Sequence, residues 1–182
     1  MAASFERPYC DGWELRDKPL AVYGQGDHKG GGLALEMTQW SRDIVLCTDG
    51  PSGLSDDFRR RLDRHGIAIR EEKILRLEKF GSGMPYQVWF DIVFEANLPL
   101  RRAAIFFNTD RRQSTDLAER LGCDMYDIRG CKVDDKQQMT SVPGLYVAGD
   151  ASRDVLQAIV AAAEGAEAAI GINTALLRED LV

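Results

Sequence analysis

Short apolar runs, each closed by glycine or polar residues, dominate the first half of the chain. Leu20-Ala21-Val22-Tyr23, Ile44-Val45-Leu46-Cys47-Thr48, Ile67-Ala68-Ile69 and Ala103-Ala104-Ile105-Phe106-Phe107 are continuous rather than alternating, as expected of strands covered on both faces. Between the first two runs lies a glycine-rich turn, 24–32, and then a helical stretch, 33–40. Between the next two, Ser55 stands before the acidic pair Asp56-Asp57, with Phe58 and Leu62 at helical spacing and Gly66 as a stop; this predicts a capped helix over 55–65. The result is a β-α-β-α-β unit, half of a Rossmann arrangement. Residues 74–77 and 87–94 alternate apolar and polar, which predicts an antiparallel meander turning at Gly81-Ser82-Gly83.

Past Asn108 the pattern is sparser. A short helix is expected over 116–121 and a hairpin from Lys132-Val133-Asp134 and Gln137-Gln138-Met139. Pro143-Gly144 marks a turn, and 145–148 is an apolar run fit for a buried strand. Gly149 allows close backbone approach because it lacks a Cβ, and Asp150 leaves a carboxylate at the strand's end. An alanine-rich run, 155–173, predicts a helix pressed against a flat neighbour, and 179–182 a frayed end.

Composition narrows the function. The 182 residues are 45% hydrophobic and 29% charged, ordinary for a globular protein of one or two domains. A net charge of −6 argues against nucleic acid. No apolar run approaches the ~18 residues of a membrane span, and 1–7 lacks the apolar core of a signal peptide, so a cytoplasmic location is expected. Four cysteines without C-x-x-C spacing and two histidines give no support for a metal site.

Gly24, Gly26 and Gly30 follow a strand and precede a helix, the context in which backbone N–H groups cradle a pyrophosphate. Strict G-x-G-x-x-G spacing fails, because Lys29 stands at the third glycine. Asp49 follows at close to the ~20-residue interval of a ribose-binding acid, which would favour NAD over NADP; it also reads as an Asp-Gly turn. Arg59, Arg60 and Arg61 read as a solvated helix face.

Thr140-Ser141-Val142-Pro143-Gly144-Leu145-Tyr146-Val147-Ala148-Gly149-Asp150, followed by Gln157-Ala158, resembles the closing segment of the thioredoxin reductase-like flavoproteins. The resemblance implies that Gly149 and Asp150 meet the sugar-alcohol chain of FAD, and that the Gln157-Ala158 backbone faces the flavin ring. Pro8-Tyr9-Cys10-Asp11-Gly12-Trp13-Glu14 resembles the family's redox motif, with Arg7 in place of the first cysteine. Cys10 alone cannot form a disulfide within that motif. It is either a remaining thiol near the flavin, made more acidic by Arg7, or a structural cysteine. Asp110-Arg111-Arg112-Gln113-Ser114 resembles the family's crossover loop.

The fold implied is α/β. A Rossmann-like, three-layer NAD(P)-binding domain with the N-terminal motif segment, 1–108, precedes the C-terminal half of a split FAD-binding domain, 109–182. The family's first FAD half would precede this sequence, which starts too late to contain it. The bared apolar faces are then expected to pack on themselves, to form a homodimer or to meet a partner chain. The activity implied is flavin-dependent: electrons from NAD or NADP pass through FAD to a disulfide, such as that of a thioredoxin-like protein, in a truncated or split enzyme. The alternative is a non-catalytic nucleotide- or partner-binding remnant.

Overall fold

A computed structural model of the chain describes residues 4–5, 8–81, 88–108, 113–126, 130–134, 136–152 and 155–181. It divides into two compact units, Met1–Thr109 and Asp110–Val182. The expected turn residues Ser82 and Gly83, and Arg7, Asp110, Arg111 and Arg112, lie outside the described residues.

In the first unit, β1 (Ser4–Phe5), α1 (Pro8–Asp11), β2 (Leu20–Tyr23), α2 (Leu33–Glu36), β3 (Ile44–Cys47), α3 (Asp56–Arg64) and β4 (Ala68–Arg70) come first. Then follow β5 (Ile74–Phe80), β6 (Trp89–Phe94), β7 (Leu100–Arg102) and β8 (Ala104–Phe107). A five-stranded parallel sheet has the order β1-β8-β2-β3-β4, and β5-β6-β7 form a separate antiparallel sheet.

The continuous apolar runs sort by the two-residue period of a strand. Leu20, Val22, Ile44, Leu46, Ala104 and Phe106 join Leu33, Ala34, Met37 and Leu62 in one core, on the helical side. The residues between them, Ala21, Val45, Cys47 and Ile105, join Ile92 and Phe94 of the antiparallel sheet in a second core. Helices, parallel sheet and antiparallel sheet thus make three layers, the Rossmann-like α/β fold that the sequence implies.

Three details differ from the sequence pattern. Gly26–Gly32 winds as a π-helical turn leading into α2, and Met37–Gln39 closes as a 3-10 turn. A Cβ on Gly31 would lie 2.6 Å from the Phe58 ring, so glycine here is what lets this helical segment press onto α3. Ser4–Phe5, expected only as part of a motif segment, pairs with β8 at the sheet's edge. Leu100–Arg102, which periodicity did not reveal, pairs with β6; three residues are too few to show a period.

The second unit contains α4 (Leu117–Arg120), β9 (Met125–Tyr126), β10 (Gly130–Cys131) and α5 (Ala158–Asp180). Four expectations need correction. The hairpin lies earlier than expected, with Gly130 opposite Tyr126 and Cys131 opposite Met125. Residues 136–139 instead turn about Asp134, whose carboxylate accepts from the backbone N–H groups of Lys136, Gln137 and Met139 at 2.9, 2.7 and 2.9 Å. Residues 145–148 are half-buried and form no strand: Tyr146 makes one isolated bridge to Met139. The helix starts later than 155 and runs to Asp180, through much of the expected frayed end. It is also long and apolar enough to pass for a membrane span by length and composition, at a mean hydropathy of 1.2. Alanine and glycine are each only mildly apolar, so the run is inconspicuous residue by residue and adds up only over the whole helix.

Candidate functional site

In the first unit, parallel β2 and β3 bring Gly24 and Asp49 to the same edge, beyond the strands' carboxyl ends. Open α/β sheets bind ligands outside that edge. The Gln25 amide donates to the Thr48 carbonyl at 2.8 Å, and Gly26 N–H donates to Ser52 O at 2.7 Å. Asp27 accepts from Ser55 N–H at 2.8 Å, tying the glycine segment to the start of α3.

The three glycines play different parts. A Cβ on Gly24 would meet the Lys29 carbonyl at 2.7 Å, and one on Gly30 would meet the Gly24 carbonyl at 2.6 Å. These two serve internal close packing. Gly26 has φ +72° and open space where a Cβ would stand, so it is the one of the three that leaves room for an incoming group.

Asp49 has φ +51° and opens the turn at Gly50. Its Oδ1 accepts from Ile74 N–H at 2.7 Å, so one carboxylate oxygen already holds β5. Arg59 does not lie on a simple solvated face. Its Nη2 donates to Ser52 Oγ and to Glu71 Oε1, both at 2.7 Å. Glu71 also accepts from Ser52 N–H at 3.0 Å. Hydrogen bonding from Ser52 and Arg59 holds the Glu71 carboxyl down at about 2. Arg60 reaches Asp57 at 3.6 Å, and Arg61 lies over the Phe58 ring at 4.6 Å. Sequence reasoning missed the Ser52-Arg59-Glu71 network. An exposed acid after a strand, facing an arginine 12 residues back on a helix, leaves no periodic signal.

The N-terminal motif residues form α1 and the turn after it. Gly12 packs so closely on Trp40 that a Cβ would lie 2.7 Å from the indole, and Tyr9 meets Trp40 edge-on at 5.3 Å. Cys10 is exposed on this short helix. The other three cysteines are buried. Burial pushes the Cys47 thiol up to about 12. Burial, followed by a hydrogen bond with Cys123, pushes Cys131 up to about 11.

In the second unit, Gly149 and Asp150 open a single 3-10 turn, Gly149–Ala151. Gly149 has φ +76°, and a Cβ on it would lie 3.4 Å from the Cβ of Ala161, in the first turns of α5. The Gly149-Asp150 turn and the start of the helix are therefore neighbours. Gln157 is the N-cap without a side-chain cap, and Ala158 is the first helical residue. Gln157 N–H bonds Val155 O at 3.0 Å. Helix geometry leaves the N–H groups that follow outside the helix's own bonding and gives this end partial positive charge. An exposed carboxylate on a glycine turn beside such a helix end suits a ligand that carries hydroxyls and an electron-rich ring. These features fit a flavin nucleotide.

Sequence reasoning also missed Glu164. Its Oε2 accepts from Gly149 N–H at 2.6 Å, and the residue is only 3% exposed. The one available signal was an acid standing among small residues in an alanine-rich run.

Comparison with known proteins bears on the family and the fold. Residues 30–166 match the family model for pyridine nucleotide-disulphide oxidoreductases. A protein of Arthroderma benhamiae designated a probable thioredoxin reductase is 27% identical over 167 residues, covering 81% of this chain and 41% of the relative. The solved Bacillus anthracis protein TrxB, provisionally designated a thioredoxin reductase, superposes with a TM-score of 0.85 at 30% identity, over 98% of this chain and 57% of its own. The atypical thioredoxin reductase TRi of Desulfovibrio vulgaris Hildenborough is 28% identical, with a TM-score of 0.54 over 98% of this chain and 57% of its own. The chain thus spans about half the length of the proteins it matches.

Proposed function

The chain belongs to the pyridine nucleotide-disulphide oxidoreductase family, and from that premise we propose that it is part of a thioredoxin reductase-like, flavin-dependent oxidoreductase. In this reading electrons pass from a nicotinamide nucleotide through FAD to a disulfide. The first unit is the nucleotide domain and the second is the C-terminal half of the FAD domain. When bound, FAD supplies the two-electron exchange; the protein supplies binding, orientation and electrostatics.

The observation that carries the reading is the Gly149-Asp150 turn set against the first turns of α5. Asp150 accepts hydroxyl hydrogens of the cofactor, and the Ala158 end of the helix offsets negative charge on the reduced ring. In the first unit Gly26 admits the nucleotide's phosphates, with Gly24 and Gly30 holding the turn, and the free oxygen of Asp49 accepts from a ribose hydroxyl. Cys10, exposed on α1, is the thiol that would meet a thioredoxin-like disulfide. A cytoplasmic location belongs to this reading. So does a second copy or a further polypeptide segment over α5, where Ile159 is 75% and Ile170 67% exposed.

A second reading is favoured by Arg7, which stands where the family's motif has its first cysteine. It makes the chain a nucleotide- or partner-binding module without turnover. The visible spectrum of the purified chain, alone and after incubation with FAD, separates the two. The flavin reading expects the absorbance of bound oxidised flavin to stay with the protein through gel filtration. A colourless protein that leaves FAD in the small-molecule fraction overturns it and leaves the module.

A further inference from the structure

Helix α5 buries a single stripe. Glu164, Ala168 and Gly171 are its buried residues, and Ala161 extends the stripe one turn toward the N-terminus, all at the helical spacing of three or four. Small residues bring the backbone of 137–149 close: a Cβ on Gly171 would lie 2.9 Å from Gln137 Cβ and 3.2 Å from the Tyr146 ring. In that stripe an acid is out of place on hydrophobic grounds, since a buried carboxylate is costly unless hydrogen-bonded. Glu164 meets that condition at one of its two oxygens, Oε2, which accepts from Gly149 N–H at 2.6 Å.

The other polar group of Gly149 is held as well. Its carbonyl accepts from Ser152 N–H and from Ser152 Oγ–H, both at 3.0 Å. With N–H and C=O both fixed and Ala161 behind its Cα, Gly149 has little freedom, and Asp150 is the next residue. One turn further along, Glu167 accepts from the amide of fully buried Gln138 at 2.8 Å. The backbone carbonyl of Gln138 in turn accepts from Val147 N–H at 3.0 Å. Two acids three residues apart thus tie one extended segment to one helix.

We propose that Glu164 is a positioning residue: its bond to Gly149 N–H fixes the left-handed turn that sets Asp150 beside the start of α5. Its bearing on cofactor affinity rests on the flavin reading above; its hold on the turn does not. The bond is directional, so it sets the turn to within hydrogen-bond tolerance, which apolar contact alone does not do.

The test uses the full chain and two variants. Glu164→Ala matches the small residues of the stripe but removes the acceptor, and Glu164→Gln keeps a carbonyl acceptor at the same reach. Amide hydrogen exchange of Gly149 is followed by NMR, with Leu46 in the first unit and Ala168 in α5 as controls. Glu164→Ala is expected to speed Gly149 exchange at least roughly tenfold with both controls unchanged, and Glu164→Gln to restore most of the protection. FAD affinity, by equilibrium titration, should weaken by a similar factor in Glu164→Ala and recover in Glu164→Gln. Unchanged Gly149 exchange in Glu164→Ala overturns the proposal. Faster exchange with undiminished FAD affinity leaves the hold on the turn standing and overturns its bearing on cofactor affinity. If Glu164→Ala does not fold, a third variant, Glu164→Leu, which fills the space without an acceptor, decides: faster exchange at Gly149 with both controls unchanged is expected, and unchanged exchange there overturns the proposal. If the unsubstituted chain binds no FAD, the flavin reading falls, while Gly149 exchange still decides whether Glu164 holds the turn.

Discussion

Phe106 and Gln138 are both completely buried, and they represent two ways of holding a chain together. Around Phe106 the first unit packs leucine, isoleucine, valine and methionine on one face of a parallel sheet, with a second apolar cluster on the other face. Around Gln138 the second unit relies on carboxylates and backbone amides. Thr140, Ser152 and Glu164 are buried there with it, beside Cys123, Cys131, Leu156 and Ala168. Apolar burial is strong and non-directional, so it makes a robust scaffold. Hydrogen bonds add less net energy but fix position, and the cost lies in leaving one unmade. The first unit thus looks built for stability. The second is built to hold one turn in place, while much of its helix stays uncovered.

The largest expected effect tests the apolar side of that contrast. Phe106→Ala should destabilise the first unit by about 3–5 kcal/mol, read from denaturant unfolding with hydrogen exchange at Leu46 as the local probe. A loss below about 1 kcal/mol would mean the core is not tightly packed, and the comparison would break at its stronger end.

Acidification tests the polar network within the same unit. The Glu71 carboxyl sits at about 2, below the ordinary 4.5, so the unfolded chain takes up its proton first as pH falls. The stabilisation from Ser52 and Arg59 is therefore fully present above about 4.5 and is lost progressively as pH drops toward about 2. Because Glu71 and Arg59 are each more than two-fifths exposed, solvent screening keeps this contribution well below that of Phe106. Comparing unfolding midpoints at pH 5 and pH 3 for the natural chain and for Arg59→Gln checks the sign. The natural chain should lose more stability than the variant across that interval, and an equal loss would remove Glu71 from the account.

The smallest effect is expected on the outer face of α5. Ile170→Ser should change stability of the isolated chain by no more than about 0.5 kcal/mol, since Ile170 is 67% exposed. If it costs as much as a core truncation, that face is covered in solution, and a concentration-dependent unfolding midpoint would identify the cover as a second copy.

Continuous apolar runs, a serine cap before an acidic turn and glycines after a strand were enough to define the layered first unit. A strand's two-residue period sends alternate side chains to opposite faces wherever the run lies, so local pattern and final position agree. The capping bond of Ser55 to Phe58 N–H, at 3.3 Å, is that kind of local information. The resemblance of 140–150 and of Gln157-Ala158 to a known segment likewise pointed to the second candidate site.

Tertiary structure alone decided the rest. Residues 145–148 are apolar enough for a strand, yet a strand needs partners for its N–H and C=O groups, and here the pairing is one bridge to Met139. Glu71 and Arg59 meet across 12 residues, Ile74 and Asp49 across 25, and Glu164 and Gly149 across 15. Each is a polar contact between segments that only folding brings together. Periodicity in a sequence reports which side of an element faces a core; it carries no information about which donor on a distant segment a single carboxylate will find.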